Sequence, residues 1–98
     1  MFQDQLSVFI HEPARLLLLS HLAAVKKTDF VFLLNSTELS RGNLSVQMTR
    51  LQEKGLVKIE KAIKENRPCT MYQLTAAGKK ALRQYKRQML DLLQGLPV

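Results

Sequence analysis

The side chains best suited to specific recognition fall close together between Ser40 and Gly55: Arg41, Asn43, Ser45, Val46, Gln47, Thr49 and Arg50. Asn and Gln carry a donor and an acceptor on one planar amide, and Arg carries paired donors. These types make two-point contacts to flat partners such as base edges, Asn or Gln with adenine and Arg with guanine, each pair contributing roughly 1–3 kcal/mol of discrimination. Val46 offers a methyl surface that fits a thymine methyl, while Ser45, Thr49 and Lys54 suit phosphates. Catalysis is not expected. The chain has no P-loop, no dinucleotide glycine fingerprint, no nucleophile elbow and no carboxylate arrangement backed by a pocket. His11, His21 and Cys69 are its only soft ligands and keep no metal-site spacing, so neither a metal nor another cofactor is expected.

The elements that must position these groups are legible from periodicity. Ser40 can cap a helix that stops at Gly55, a residue that readily takes the left-handed conformation past a helix end. Counting from Leu44, Met48 lies at about 40°, Leu51 at about 340° and Gly55 at about 20°, a narrow inward stripe. Asn43, Ser45, Val46, Thr49, Arg50 and Glu53 lie opposite, with Arg41 and Gln47 on the flanks. Upstream, Pro13 suits the first turn of a largely buried helix ending near Val25, preceded by a short helix carrying Phe2, Leu6, Phe9 and Ile10. Thr28 or Asp29 can cap a further helix through about Asn35. After Gly55 the pattern alternates through Val57, Ile59 and Ile63, breaks at Lys64 to Pro68, and resumes from Cys69 to Leu74, which predicts a hairpin with a basic tip. Thr75 caps a last helix to about Gln94. Its Gly78, Leu82, Tyr85, Met89, Leu92 and Leu96 keep a heptad rhythm widened by Leu90 and Leu93, while Lys79, Lys80, Arg83, Lys86 and Arg87 sit largely off that stripe. Such a helix outruns a small core, which predicts pairing with a second copy.

Charge points the same way. The 98 residues, 46% hydrophobic and 23% charged, read as one soluble domain with a formal charge of +7. Residues 1–40 hold three basic and four acidic side chains, and residues 41–98 hold twelve and four. Basic clustering of this kind fits a polyanion, either nucleic acid or an anionic membrane surface. Leu16 to Val25 is too short to span a bilayer, Asp4 and Glu12 precede it where a secretory leader would be basic, and one cysteine allows no intrachain disulfide. A cytoplasmic protein is expected.

Four blocks carry a resemblance: Ile10-His11-Glu12-Pro13-Ala14-Arg15-Leu16, Leu39-Ser40-Arg41-Gly42-Asn43-Leu44-Ser45, Leu51-Gln52-Glu53-Lys54-Gly55-Leu56-Val57, and Tyr72-Gln73-Leu74-Thr75-Ala76-Ala77-Gly78. In this order they resemble the small stand-alone winged helix-turn-helix transcriptional regulators of the MarR/ArsR type, over about residues 8–88. The fold expected is mainly α with a small β-hairpin, an α+β winged helix. It forms a single domain over 1–98, with an N-terminal segment 1–10, a recognition helix 40–55, a wing hairpin 57–74 and a long C-terminal dimerisation helix 75–94.

The resemblance implies a homodimer on pseudo-palindromic double-stranded DNA, with no membrane partner, each recognition helix in a major groove and each wing beside a minor groove. Mapped residue by residue, DNA contacts fall on Arg41, Asn43, Ser45, Val46, Gln47, Thr49, Arg50 and Lys54, with Lys64, Asn66 and Arg67 at the wing. The terminal helices imply a dimer interface of Phe2, Leu6, Phe9, Leu82, Tyr85, Met89, Leu92, Leu93 and Leu96. Related sequences often carry His where this chain has Gln47 and an apolar residue where it has Thr37. By analogy the protein is a repressor rather than an activator. A small-molecule effector between the terminal helices fits such a dimer, but no residue set identifies one. The alternative is a winged-helix protein-interaction module with only weak, non-specific nucleic-acid binding. An RNA-binding winged helix fits less well, because Phe and Tyr read as buried and leave no stacking platform.

Overall fold

Each of the five helices among the described residues begins on a side chain that accepts hydrogen bonds from its own first turn. The caps are Asp4, Glu12, Asp29, Ser40 and Thr75, and each satisfies amides that have no partner within the helix. The computed structural model describes residues 4–98. In chain order they form α1 (Gln5–Ile10), α2 (Pro13–Ala24), β1 (Thr28–Asp29), α3 (Phe30–Thr37), α4 (Arg41–Glu53), β2 (Val57–Lys64), β3 (Arg67–Leu74) and α5 (Ala76–Gln94). Phe2 lies outside the described residues.

Helices α3 and α4 are joined by a short corner in which Glu38 takes a left-handed φ of 60°. Helix α4 closes through Gly55, whose φ of 75° lets the Leu56 amide donate back to the Leu51 carbonyl at 3.0 Å. A side chain at Gly55 would have to adopt the same left-handed backbone, which only glycine does without strain.

The three strands form an antiparallel sheet in the order β1-β3-β2. Two features differ from the sequence expectation. Strand β1 is only two residues long, pairing Thr28 with Tyr72 and Asp29 with Met71, too short to leave a periodic signature. The hairpin turn is also tighter than Lys64 to Pro68: Lys64 pairs with Arg67, so only Glu65 and Asn66 turn, with φ of 53° and 62°. Two consecutive left-handed residues match the right-handed twist of the flanking strands. Pro68 is accommodated because it lies beyond the reach of β1, where β3 has an open edge.

One core joins these elements: Ile10, Leu18, Leu19 and Leu22 from the first two helices, Leu33 from α3, Leu44, Met48 and Leu51 from α4, Leu56, Val57, Tyr72 and Leu74 from the sheet, and Ala81 and Tyr85 from α5. The inward stripe of α4 is the one its spacing predicts. Helix α5 is locked to the end of α4 by backbone contact. A Cβ at Gly78 would collide with the Leu56 carbonyl oxygen, and the Thr75 hydroxyl donates to the Gly55 carbonyl at 2.6 Å. The long helix and α4 are thereby fixed relative to each other.

Candidate nucleic-acid interface

With Leu44, Met48 and Leu51 buried, α4 leaves Arg41, Asn43, Ser45, Val46, Thr49 and Arg50 exposed on its outer side, with Lys54 at its end. No acidic residue falls in its first turn. The Ser40 hydroxyl accepts from the Asn43 amide at 3.1 Å, which fixes the start of the helix. The positive end of the helix dipole is therefore presented beside Arg41. Thr49 donates its hydroxyl to the Ser45 carbonyl at 3.0 Å, so its proton is already used within the helix. The Arg41 guanidinium lies 5.8 Å from the centre of the Phe30 ring and the Lys54 ammonium 5.5 Å from that of Phe9, contacts that steady both cations at the rim of the face.

Gln47 is the exception and corrects the sequence expectation. It is 8% exposed and faces inward. Its Oε1 accepts from Arg15 Nη1 at 3.1 Å, and its Nε2 donates to Asn43 Oδ1 at 3.1 Å. At about 300° from Leu44 it sits at the border of the buried stripe, and a partner from α2 decides which way it turns. Arg15 is absent from the site expected from sequence. Its signal was an isolated cation opening an otherwise apolar helix. Thr37 is buried as well, with its hydroxyl donating to the Leu33 carbonyl at 2.6 Å.

At the wing, Asn66 and Arg67 are exposed. Lys64 is exposed too, but its ammonium donates to Asp29 Oδ2 at 3.2 Å, so its charge is shared with a carboxylate. Asp29 also caps α3 through the Phe32 amide at 2.8 Å. That amide, helped by Lys64, holds the Asp29 carboxyl below the usual carboxylate range against the opposing effect of burial. Among the described residues, Arg41, Arg50, Lys54 and Arg67 make no ion pair, and Lys58 and Lys27 both reach Glu60.

The expected dimer stripe divides into two parts. Leu6, Leu92, Leu93 and Leu96 are exposed, whereas Phe9, Leu82 and Met89 lean on the protein's own core. Tyr85 is only 4% exposed and belongs to that core, which removes it from the surface stripe. The heptad spacing placed it there because one face of α5 serves its own domain before it reaches beyond it. Phe32 is also a correction, being half exposed on α3 beside Val31 rather than buried.

A two-helix corner carrying an exposed polar helix, flanked by a hairpin with a basic tip, defines a winged helix-turn-helix. The chain belongs to the winged helix DNA-binding domain family, which matches residues 14–93. Its fold is that of the MarR/ArsR-like transcriptional regulators, which bind DNA and are not enzymes. Among solved structures it is similar to a transcriptional regulator homologue from Pyrococcus horikoshii OT3, at 27% identity and a TM-score of 0.87 over 94% of this chain and 91% of that one. It is also similar to a PadR family transcriptional regulator from Eggerthella lenta DSM 2243, at 22% identity and a TM-score of 0.70 over 90% and 83% of the two chains. A MarR mutant from E. coli complexed with operator DNA matches at 23% identity and a TM-score of 0.68, over 84% of this chain and 58% of that one. The search of curated proteins returned no match. No helix among the described residues is long and apolar enough to cross a membrane.

Proposed function

We propose that the protein is a cytoplasmic, sequence-specific transcriptional regulator that binds a pseudo-palindromic operator as a homodimer and represses by occluding a promoter. The observation that carries this reading is the exposed face of α4, polar and free of acid in its first turns, set beside a basic wing tip. Asn43 and Arg50 contact bases, Val46 meets a thymine methyl, and Arg41, Ser45 and Lys54 meet phosphates, with Thr49 packing beside them through its methyl group because its hydroxyl proton stays on the Ser45 carbonyl. Arg67, with Asn66, enters the adjacent minor groove, where a narrow groove concentrates negative potential. Leu92, Leu93 and Leu96 pair with their counterparts in a second copy, joined by Leu6.

The test is selection of binding sites from random duplex DNA, followed by affinity against salt and sedimentation of the free protein. An inverted repeat with half-sites about 10 base pairs apart or a multiple, a steep salt slope and a dimer mass are expected. Exposed Val31 and Phe32 on α3 favour a second reading, a protein-interaction module. Sequence-blind binding by a monomer would support it instead.

A further inference from the structure

The polar network behind α4 has a direction. Arg15 carries donors and no acceptor, so the Gln47 amide must turn its oxygen toward it, and the two atoms lie 3.1 Å apart. With Oε1 committed, the Gln47 amino group faces Asn43 and donates to Oδ1 at 3.1 Å. The Asn43 amino group is therefore turned the other way, toward the exposed face. Arg15 is itself held firmly. Its Nε donates to the Phe9 carbonyl at 2.6 Å, its guanidinium lies 4.2 Å from the centre of the Phe9 ring, and the Glu12 carboxylate stands 4.0 Å away. Gln47, the middle link, is 8% exposed, so water competes little for its hydrogen bonds.

We propose that Arg15, acting through Gln47, is a positioning residue that fixes the Asn43 amide with both N–H donors outward, so that Asn43 selects for acceptors on the base it meets. The proposal rests on the DNA-binding reading above. Its consequence is specific: Asn43 favours guanine, with N7 and O6 as acceptors, or thymine, with O4. It disfavours cytosine, whose major-groove edge offers an amino donor, and it loses the two-point contact to adenine that needs Oδ1 as an outward acceptor.

Gln47→Glu reverses the sense of the relay. Glutamate offers two acceptors, one for Arg15 and one for Asn43, so Asn43 must turn its amino group inward and its oxygen outward. In the DNA-free protein, NMR should find the Gln47 side-chain amino protons exchanging slowly with water and those of Asn43 exchanging fast. In Gln47→Glu the Asn43 protons should slow by about tenfold or more, as expected for a hydrogen bond to a charged group. Asn43 amino protons already protected in the wild type, or unchanged in the variant, would overturn the orientation. Arg15→Met should blur the wild-type contrast by removing the donor that sets it, and an unchanged contrast would exclude Arg15 from the role.

Site selection supplies the second arm. One base position per half-site should move from guanine or thymine toward adenine or cytosine in Gln47→Glu, by about tenfold, with the other positions unchanged. Gln47→Met, which holds neither partner, should lose discrimination at that position alone and serves if Gln47→Glu fails to fold. Identical selected sites for wild type and both variants would overturn the specificity role. A wild type with no base preference would overturn it together with the DNA-binding reading, and the exchange measurement would still decide the orientation.

Discussion

The Tyr85 hydroxyl lies 2.8 Å from His11 Nδ1, joining the middle of α5 to the corner between α1 and α2. A second tie runs from Gln88 Nε2 to Asp4 Oδ2 at 2.9 Å. Burial of the Tyr85 ring pushes its hydroxyl pKa up. Helix α5 therefore divides along its length: its stretch through Met89 closes the domain, and its end from Leu90 onward is exposed, the part assigned above to pairing with a second copy.

Tyr85→Phe should separate these two parts. It removes the hydroxyl's bond to His11 while keeping the packed ring, so urea unfolding should show a loss of about 1 kcal/mol with the oligomer unchanged. Leu93→Glu should do the reverse, leaving a folded circular dichroism spectrum and yielding a monomer mass in sedimentation. A monomer from Tyr85→Phe would contradict the division.

Gly78→Ala tests the joint between α4 and α5. The added methyl meets the Leu56 carbonyl oxygen, and backbone cannot swing aside as a flexible side chain would. Thermal or urea unfolding should report a loss of about 1–3 kcal/mol or more, even though alanine is the better helix former.

Acid should loosen the corner at Asp29. Its folded pKa is lowered, so the stability it contributes is complete above its unfolded value near 3.8 and is lost as pH falls from there through the lower folded value. Asp29→Asn keeps a capping side chain but cannot titrate. Its unfolding midpoint should fall less steeply below pH 4 than that of wild type. Some slope remains, because Asp4, whose carboxyl is held low chiefly by the Gln88 amide, titrates in the same range.

The two wing cations should differ in their response to salt. Arg67→Ala should lower the slope of log affinity against log salt by about 1, because a cation held in the minor groove also displaces condensed counterions. Lys64→Ala should lower it less, because Asp29 already neutralises part of that charge. Arg50→Ala should instead flatten base preference in site selection, with a smaller effect on random DNA. Equal losses from all three on specific and random DNA would refute the division of roles.

Much of this was legible in the sequence because it is local. The spacing of Leu44, Met48 and Leu51 fixes the inward side of α4, and Ser40, Gly55 and Thr75 mark where helices begin and end. What escaped depends on partners distant in sequence. Gln47 turns inward because Arg15 waits for it across the interface with α2. Tyr85 is buried because α1 and the following corner cover it. Lys64 shares its charge because the cap of α3 stands beside the wing. Strand β1 escaped because two residues have no period, and its existence is decided by the free edge of β3.

That short strand also sets the mechanics of the hairpin. Strand β1 supports β3 only at Tyr72 and Met71, so the pairs from Lys61 with Thr70 out to Lys64 with Arg67 form a two-stranded ribbon. Such ribbons twist more than wider sheets. The wing is thus a cantilever, clamped at its base and braced near its tip by the Lys64–Asp29 pair. An exposed brace of this kind is worth about 0–1 kcal/mol. In the DNA complex proposed above, a phosphate would take over as counter-ion to Lys64 at little cost, and releasing the brace would let the ribbon adjust its twist to the groove.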